Sequence, residues 1–205
     1  MEILAADLAK EHLLIEKSRG GDVASFSYLV RLHEERAIHL AYSFLGNMED
    51  ARDQAQEAFV KAYEGFERFK ANSRFSTWLY RIVVNGCKDF LRKKKVRRHL
   101  GVVLQPESDD EKNARDPFES APSTAPDARK VLMNKEIEQE IHAALEKLPF
   151  QQKSVFALRY LEGMSLEEIA ETLEISVGAV KAHLWQASQK MKANLSGFVS
   201  EEGLS

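Results

Sequence analysis

An all-α protein is predicted, built as two small helical domains joined by a flexible acidic linker. Three observations predict it. Apolar residues recur at intervals of three and four along the chain, and nowhere at a convincing interval of two. Four of the five prolines fall between Gln105 and Ala128 among Ser108, Ser120, Ser123 and Thr124, a composition that cannot bury enough apolar surface to order itself. Finally, Ser165 to Met191 reads as two short helices around a tight turn, the second written largely for the outside of the protein.

The elements follow in order. Asp22 is placed to cap a helix from about Val23, with Phe26, Leu29, Val30, Ile38, Leu40, Ala41 and Phe44 available for burial, and Gly46 marks its C-terminal end. A second helix is predicted from about Glu49 to Glu67, burying Ala51, Ala55, Ala58, Phe59 and Ala62. A polar segment from Arg68 to Arg74 leads to a third helix from about Ser76, which ends in a basic run. These make a three-to-four-helix N-terminal domain. Helix returns near Val131, with Ile137, Ile141, Leu145 and Leu148 in register. Pro149 starts a further helix to about Leu161, broken by Gly163. In the last pair, Ser165 and Glu168 form a capping box, Ile169 and Leu173 face inward, and Ala170 permits close approach. Glu174 and Ile175 make the turn and Ser176 caps the second helix, in which Val180, Leu184 and the alanines are the residues to bury.

The formal net charge of −3 conceals a segregation. Between Lys88 and Arg98 seven basic residues stand against Asp89, a local charge of +6, while Gln105 to Ala128 carries −5. Such asymmetry points to polyanion contact in one place and something else in the other. The lone Cys87 forms no internal disulfide or cysteine-built zinc site and is read as a small hydrophobe in a helix. The six histidines are scattered singly, so no metal cluster, cofactor or catalytic constellation is expected and the chain is not read as an enzyme. Acidic residues interrupt the apolar positions of the N-terminus, which excludes a secretory signal, and no apolar run approaches a membrane span. A reduced, cytoplasmic, soluble protein is expected.

Two surfaces carry the functional reading. On the second helix of the final pair, Lys181, His183, Trp185, Gln186 and Gln189 are left for faces other than the core, and a polar, cationic second helix suits the major groove. In the N-terminal half, Phe66, Phe69, Phe75, Trp78 and Tyr80 accompany a loop holding Lys70, Asn72, Ser73 and Arg74. Aromatic faces receive unstacked bases and interleaved cations hold phosphates. Trp78 and Phe59 are read as core, leaving Phe69 and Lys70 as the base-pocket candidates. The basic run Arg92 to Arg98 is read as a phosphate contact.

The stretches MEDARDQAQEAF, FKANSRFSTWLYRIVVNGCKDFLR and LPFQQKSVFALRYLEGMSLEEIAETLEISVGAVKAHL, in this order, resemble the extracytoplasmic-function (ECF) sigma factors of bacterial RNA polymerase, within the sigma-70 superfamily. The resemblance spans about Leu13 to Met191. It implies sigma region 2 over 1–98, a flexible linker over 99–130, sigma region 4 over 131–196 and a tail over 197–205. It further implies docking of Asp53, Gln54, Gln56 and Glu57 on the clamp helices of core RNA polymerase. The loop with Phe69, Lys70, Asn72, Ser73 and Arg74 would capture a flipped base of the −10 strand, and Asn85, Arg92, Lys93, Lys94 and Lys95 would flank that element. Asp89 is read as an intrahelical partner of Arg92. Ser176, Lys181, Ala182, His183, Trp185 and Gln186 would face the −35 element of promoter DNA. The family implies an anti-sigma factor as a further partner.

Two departures stand out. Gln186 and Ser188 occupy positions where the family often has arginine, which shifts the expected preference from guanine toward adenine. Glu174 stands where many such turns have glycine, so a remodelled turn is expected. Trp185 is left open between core and contact, and the acidic linker between passage through the polymerase cleft and a solubilising tether. The competing function is a stand-alone helix-turn-helix regulator acting as a dimer, although it offers no use for the aromatic-basic loop.

Overall fold

The computed structural model describes residues 2–69, 73–99, 137 and 139–202. No strand occurs among them. The N-terminal unit comprises α1 (Glu2–Arg19), α2 (Val23–Leu45), α3 (Met48–Gly65), a 3₁₀ turn (Phe66–Arg68) and α4 (Phe75–His99). The C-terminal unit comprises α5 (139–146), α6 (Phe150–Tyr160), α7 (Leu166–Leu173) and α8 (Val177–Glu202). The linker expected over 99–130, apart from His99, and Lys70 and Asn72 of the loop lie outside the described residues.

The helix boundaries follow local chemistry. Asp22 caps α2 by accepting from the Ala24 N–H, and Asn47 caps α3 by accepting from the Asp50 N–H. Gly46 closes α2 at φ 70°, its N–H donating to the Tyr42 carbonyl. A side chain there would also collide with the other unit: a Cβ would sit 2.8 Å from His142 Cε1. The left-handed backbone favours glycine here, and any larger residue would also displace the His142 and Glu146 side chains.

The N-terminal core joins α2, α3 and α4. On α3 the buried stripe is Ala51, Ala55, Ala58, Phe59 and Ala62, and its four alanines let α2 and α4 approach closely. Against it lie Leu29, Leu40, Ala41 and Phe44 of α2 and Phe75, Leu79, Val83, Val84 and Cys87 of α4. In the C-terminal unit Leu145 and Leu148 pack with Ala187 and Met191 of α8, whereas Val155, Leu158, Ile169 and Val180 belong to the cluster that includes the N-terminal core. Ile141, expected in the buried register, is 36 % exposed, because the apolar stripe of α5 turns through Ala144, Leu145 and Leu148 instead.

The two units touch, and the periodicity gave no sign of it. The rings of Phe44 and Phe150 stack with centroids 5.0 Å apart, and the Tyr42 and His142 rings lie 4.9 Å apart. Arg81 of α4 reaches α7, where Nη2 donates to the Glu171 carbonyl at 2.6 Å and Nη1 to Glu174 Oε1 at 3.1 Å. Arg74 meets Glu168 at 3.2 Å. The larger cluster of buried apolar residues runs across both units, from Leu29 and Phe44 to Val155 and Ile169, while Ala144, Leu145, Leu148, Ala187 and Met191 form a separate one.

Candidate nucleic-acid and docking surfaces

The turn between α7 and α8 keeps the compact form that glycine usually gives it. Glu174 adopts the left-handed conformation itself, at φ 55° and ψ 43°, and its N–H caps α7. The expected remodelling does not occur. Single non-glycine residues bear this conformation at a cost of about 1–2 kcal/mol, and the Arg81 contact holds Glu174 in place. Upstream, the capping box forms as expected: Ser165 Oγ accepts from the Glu168 N–H at 3.1 Å, and the Ser165 N–H donates to Glu168 Oε2 at 2.8 Å.

Val180 and Ala187 anchor α8 to the core and turn its other side outward. Lys181, Ala182, Trp185 and Gln186 are exposed, and Trp185, at 66 %, is a surface residue and not a core one. His183 is half-buried, with Nδ1 enclosed and without a hydrogen-bond partner, so it lies at the edge of this face. Ser176 serves as the N-cap, its Oγ accepting from the Ala179 N–H at 3.1 Å. The hydroxyl proton remains available to a phosphate at the positive end of α8. Gln186 is tied back to α6, its Oε1 accepting from Gln152 Nε2 at 2.7 Å.

The expected base pocket is corrected in one respect. Phe69 is only 3 % exposed, with its ring 5.0 Å from Trp78 and 6.0 Å from Phe66. It belongs to an aromatic cluster with Phe26, Phe66, Phe75 and Trp78, and offers no free face to a base. Burying this phenyl ring against Phe66, Phe75 and Trp78 gains more than leaving it in water. Ser73 is half-buried, and Arg74 is exposed and paired with Glu168.

Along α4, Asn85, Arg92, Lys93 and Lys95 are exposed. Arg92 pairs with Asp89 at 3.3 Å, as its spacing predicts, and Lys94 meets Asp50 at 3.5 Å while lying over the Phe90 ring. The cations also sit at the negative end of the α4 dipole, which favours them there without any ligand. On α3, Asp53, Gln56 and Glu57 are exposed and Gln54 is half-buried. Glu57 accepts from Lys61 Nζ at 2.7 Å and from Gln54 Nε2 at 3.2 Å. The Lys61 hydrogen bond holds its carboxyl below the usual carboxylate value. This face is a fixed, ionised acidic surface flanked by a cation.

Residue reasoning missed the contact between the units: Arg81, Glu171, Glu174, Tyr80 and Glu162. Tyr80 is buried, and its hydroxyl faces the Glu162 carboxyl across the junction. Burial pushes the Glu162 carboxyl above its ordinary value, against the hydrogen bond from Tyr80 and the attraction of Arg36, His39 and His33. The one legible signal was Glu174 in place of glycine. The described residues contain no group of three potential ligands able to hold a metal, and no helix long and apolar enough to cross a membrane.

A helix-turn-helix with an exposed reading face, joined to a helical unit that ends in a cationic helix, defines a DNA-contacting transcription factor. Residues 29–97 match the family described as Sigma-70 region 2, and residues 138–191 match Sigma-70, region 4. The chain is 33 % identical to the ECF RNA polymerase sigma factor SigW of Bacillus subtilis, covering 88 % of this chain and 94 % of that one. It is 31 % identical to the ECF RNA polymerase sigma-E factor of Escherichia coli (87 % and 91 %) and 30 % identical to the RNA polymerase sigma-H factor of Pseudomonas aeruginosa (94 % and 97 %). Among solved structures, CnrH in complex with the cytosolic domain of CnrY shares the fold at a TM-score of 0.65 and 24 % identity, over 92 % of this chain and 98 % of CnrH. RpoE of Bartonella quintana, solved with the anti-sigma factor NepR, does so at 0.64 and 21 %, over 85 % and 98 %. The chain belongs to the extracytoplasmic-function group of the sigma-70 family.

Proposed function

We propose that the residues described above divide the work of promoter-specific initiation among three surfaces. The acidic face of α3, with Asp53, Gln54, Gln56 and Glu57, docks on core RNA polymerase. The loop before α4 and the α4 cations, with Lys70, Asn72, Ser73, Arg74, Asn85, Arg92, Lys93, Lys94 and Lys95, engage the −10 element. The exposed face of α8, with Ser176, Lys181, Ala182, His183, Trp185 and Gln186, engages the −35 element. Phe69 supports the loop from within the core and does not stack on a base. The chain performs no catalysis: it recruits and positions an enzyme, and it acts in the cytoplasm. Region 2 over 1–98 and region 4 over 131–196 are joined by the 99–130 tether. An anti-sigma factor is a further partner, as in the Bartonella quintana relative solved in complex with NepR.

The observation that carries the reading is the exposed, polar face of α8 on a helix whose opposite side is locked into the core. The contact between the units adds a condition. Elements named −10 and −35 lie roughly 25 base pairs apart, about 85 Å along B-DNA at ~34–36 Å per turn. Two readers packed against each other cannot span that distance, so the chain opens before both engage, and core polymerase supplies the frame that fixes their separation. The stand-alone dimeric regulator gains no support, since each curated relative named above is a sigma factor.

Run-off transcription with added core polymerase on a fragmented genomic template tests this. Defined transcripts that require the chain are expected. Tight, sequence-specific binding by the isolated chain as a dimer, with no transcript on adding core polymerase, would overturn the reading.

A further inference from the structure

The bond between Gln152 and Gln186 joins residues 34 positions apart and links the interior of α6 to the exposed face of α8. Gln152 is 9 % exposed, whereas Gln186 lies on the surface. Its surroundings are rigid: α6 and α8 pack together, and Ala187, next to Gln186, is fully buried. Gln152 directs its amino group at α8, and its own Oε1 is enclosed with no hydrogen-bond partner. The reverse setting would leave an amino group with two donors in the slot that now holds one unpartnered oxygen. Either setting leaves one buried atom without a partner, and an under-satisfied carbonyl oxygen is tolerated better than an orphaned amino group, which favours the observed orientation.

This has a consequence at the DNA-facing end. A side-chain amide has an acceptor end and a donor end. A glutamine free to offer both pairs bidentately with adenine, through N6 and N7. Here the acceptor end of Gln186 is engaged inward, so its amino group is turned outward. In the major groove guanine alone presents two acceptors side by side, N7 and O6. We propose that Gln152 is a positioning residue for −35 recognition, holding Gln186 with its amino group toward the DNA and directing it to guanine instead of adenine. The inference rests on the assignment of α8 as the −35 reader and deepens it, because it locates a determinant of base preference in a residue that never reaches the groove. It also reverses the preference expected from Gln186 considered alone.

The test uses holoenzyme reconstituted from core polymerase and the full chain, with run-off transcripts sequenced from a promoter library randomised across the −35 element. Four chains are compared: wild type, Gln186→Ala, Gln152→Met and Gln152→Glu. Methionine keeps the volume of glutamine but cannot make the bond, and volume-conserving changes are those that cores tolerate best. Discrimination at a single base pair should fall about ten-fold with Gln152→Met, within the range of one base-edge contact. A glutamate carboxylate only accepts, so Gln152→Glu should draw the Gln186 amino group inward and expose its carbonyl. The preference at that same base pair should then move toward bases bearing a donor, adenine or cytosine. If Gln186→Ala alters the profile while both Gln152 variants keep it, the positioning role is wrong and the −35 assignment stands. If Gln186→Ala leaves the profile unchanged, Gln186 reads no base and the proposal is overturned, while the other residues of α8 keep the −35 assignment. A uniform loss over all sequences with Gln152→Met would mean that Gln152 only supports the fold, which also overturns the proposal.

Discussion

Removing the guanidinium of Arg81 should loosen the contact between the two units. Arg81 makes two contacts across the junction, at 2.6 Å to the Glu171 carbonyl and 3.1 Å to Glu174 Oε1. They are unequal in worth. The Glu174 side chain is 71 % exposed, and an ion pair open to solvent contributes only about 0–1 kcal/mol. The bond to the carbonyl is charge-assisted and contributes about 1.5–3 kcal/mol where water is excluded; with Arg81 itself 29 % exposed, the lower end applies. Arg81→Ala should therefore weaken closure by about 2 kcal/mol, a shift of roughly thirty-fold in the closed-to-open ratio. Lysine cannot reproduce the two-pronged contact, so Arg81→Lys should resemble alanine. Dyes on cysteines at the exposed positions 67 and 189 would report the separation by single-molecule energy transfer, and the buried Cys87 would stay unlabelled. If the closed form limits docking, apparent affinity for core polymerase rises with the open fraction. An unchanged distance distribution in Arg81→Ala, with helicity intact, would refute the role given to this contact.

Other outcomes follow from burial and charge. Phe69→Ala should cost the N-terminal unit about 3–5 kcal/mol through loss of a buried ring, seen as a large fall in melting temperature; an unchanged melt would return Phe69 to the surface. Burial pushes the Cys87 thiol up to about 12, so maleimide should leave it unmodified near neutral pH until denaturant is added, and rapid labelling of the native chain would contradict the packing. Burial holds the Glu162 carboxyl above its ordinary 4.5, so the folded, closed chain binds that proton more tightly than the unfolded one. The resulting stability is full below pH 4.5 and is lost as pH rises through the raised value. Glu162→Gln should match wild type at low pH and be the more stable at neutral pH, and urea midpoints that stay parallel across this range would exclude the effect. Finally, Asp53→Lys combined with Glu57→Lys should abolish pull-down of core polymerase without loss of helicity; retained pull-down would move the docking surface elsewhere.

Much of this protein was legible in its residues because much of it is decided locally. The capping box at Ser165 and Glu168, the Asp22 cap, the glycine end of α2 and the alanine stripe of α3 all depend on neighbours within four positions. The exposed face of α8 was equally legible, since a helix that must bury Val180 and Ala187 has only one way to turn Lys181 and Gln186 outward. What periodicity could not assign were choices among residues that suit two environments. Phe69 satisfied the pattern of a base-stacking loop, yet the rings of Phe66, Phe75 and Trp78 converge on it from positions that no spacing rule relates. Trp185 was open to either fate, and its place on the turn of α8 opposite the core decided for solvent. The same holds for the junction between the units: Arg81 and Glu171 are 90 positions apart, and Phe44 and Phe150 more than that. The residues determined which helices form, how each is capped and which side of each is apolar, because those energies are short-ranged along the chain. The tertiary structure alone decided which amide turns inward at Gln186, which aromatic is enclosed and how the two readers meet, because those depend on groups that only packing brings within a few ångströms.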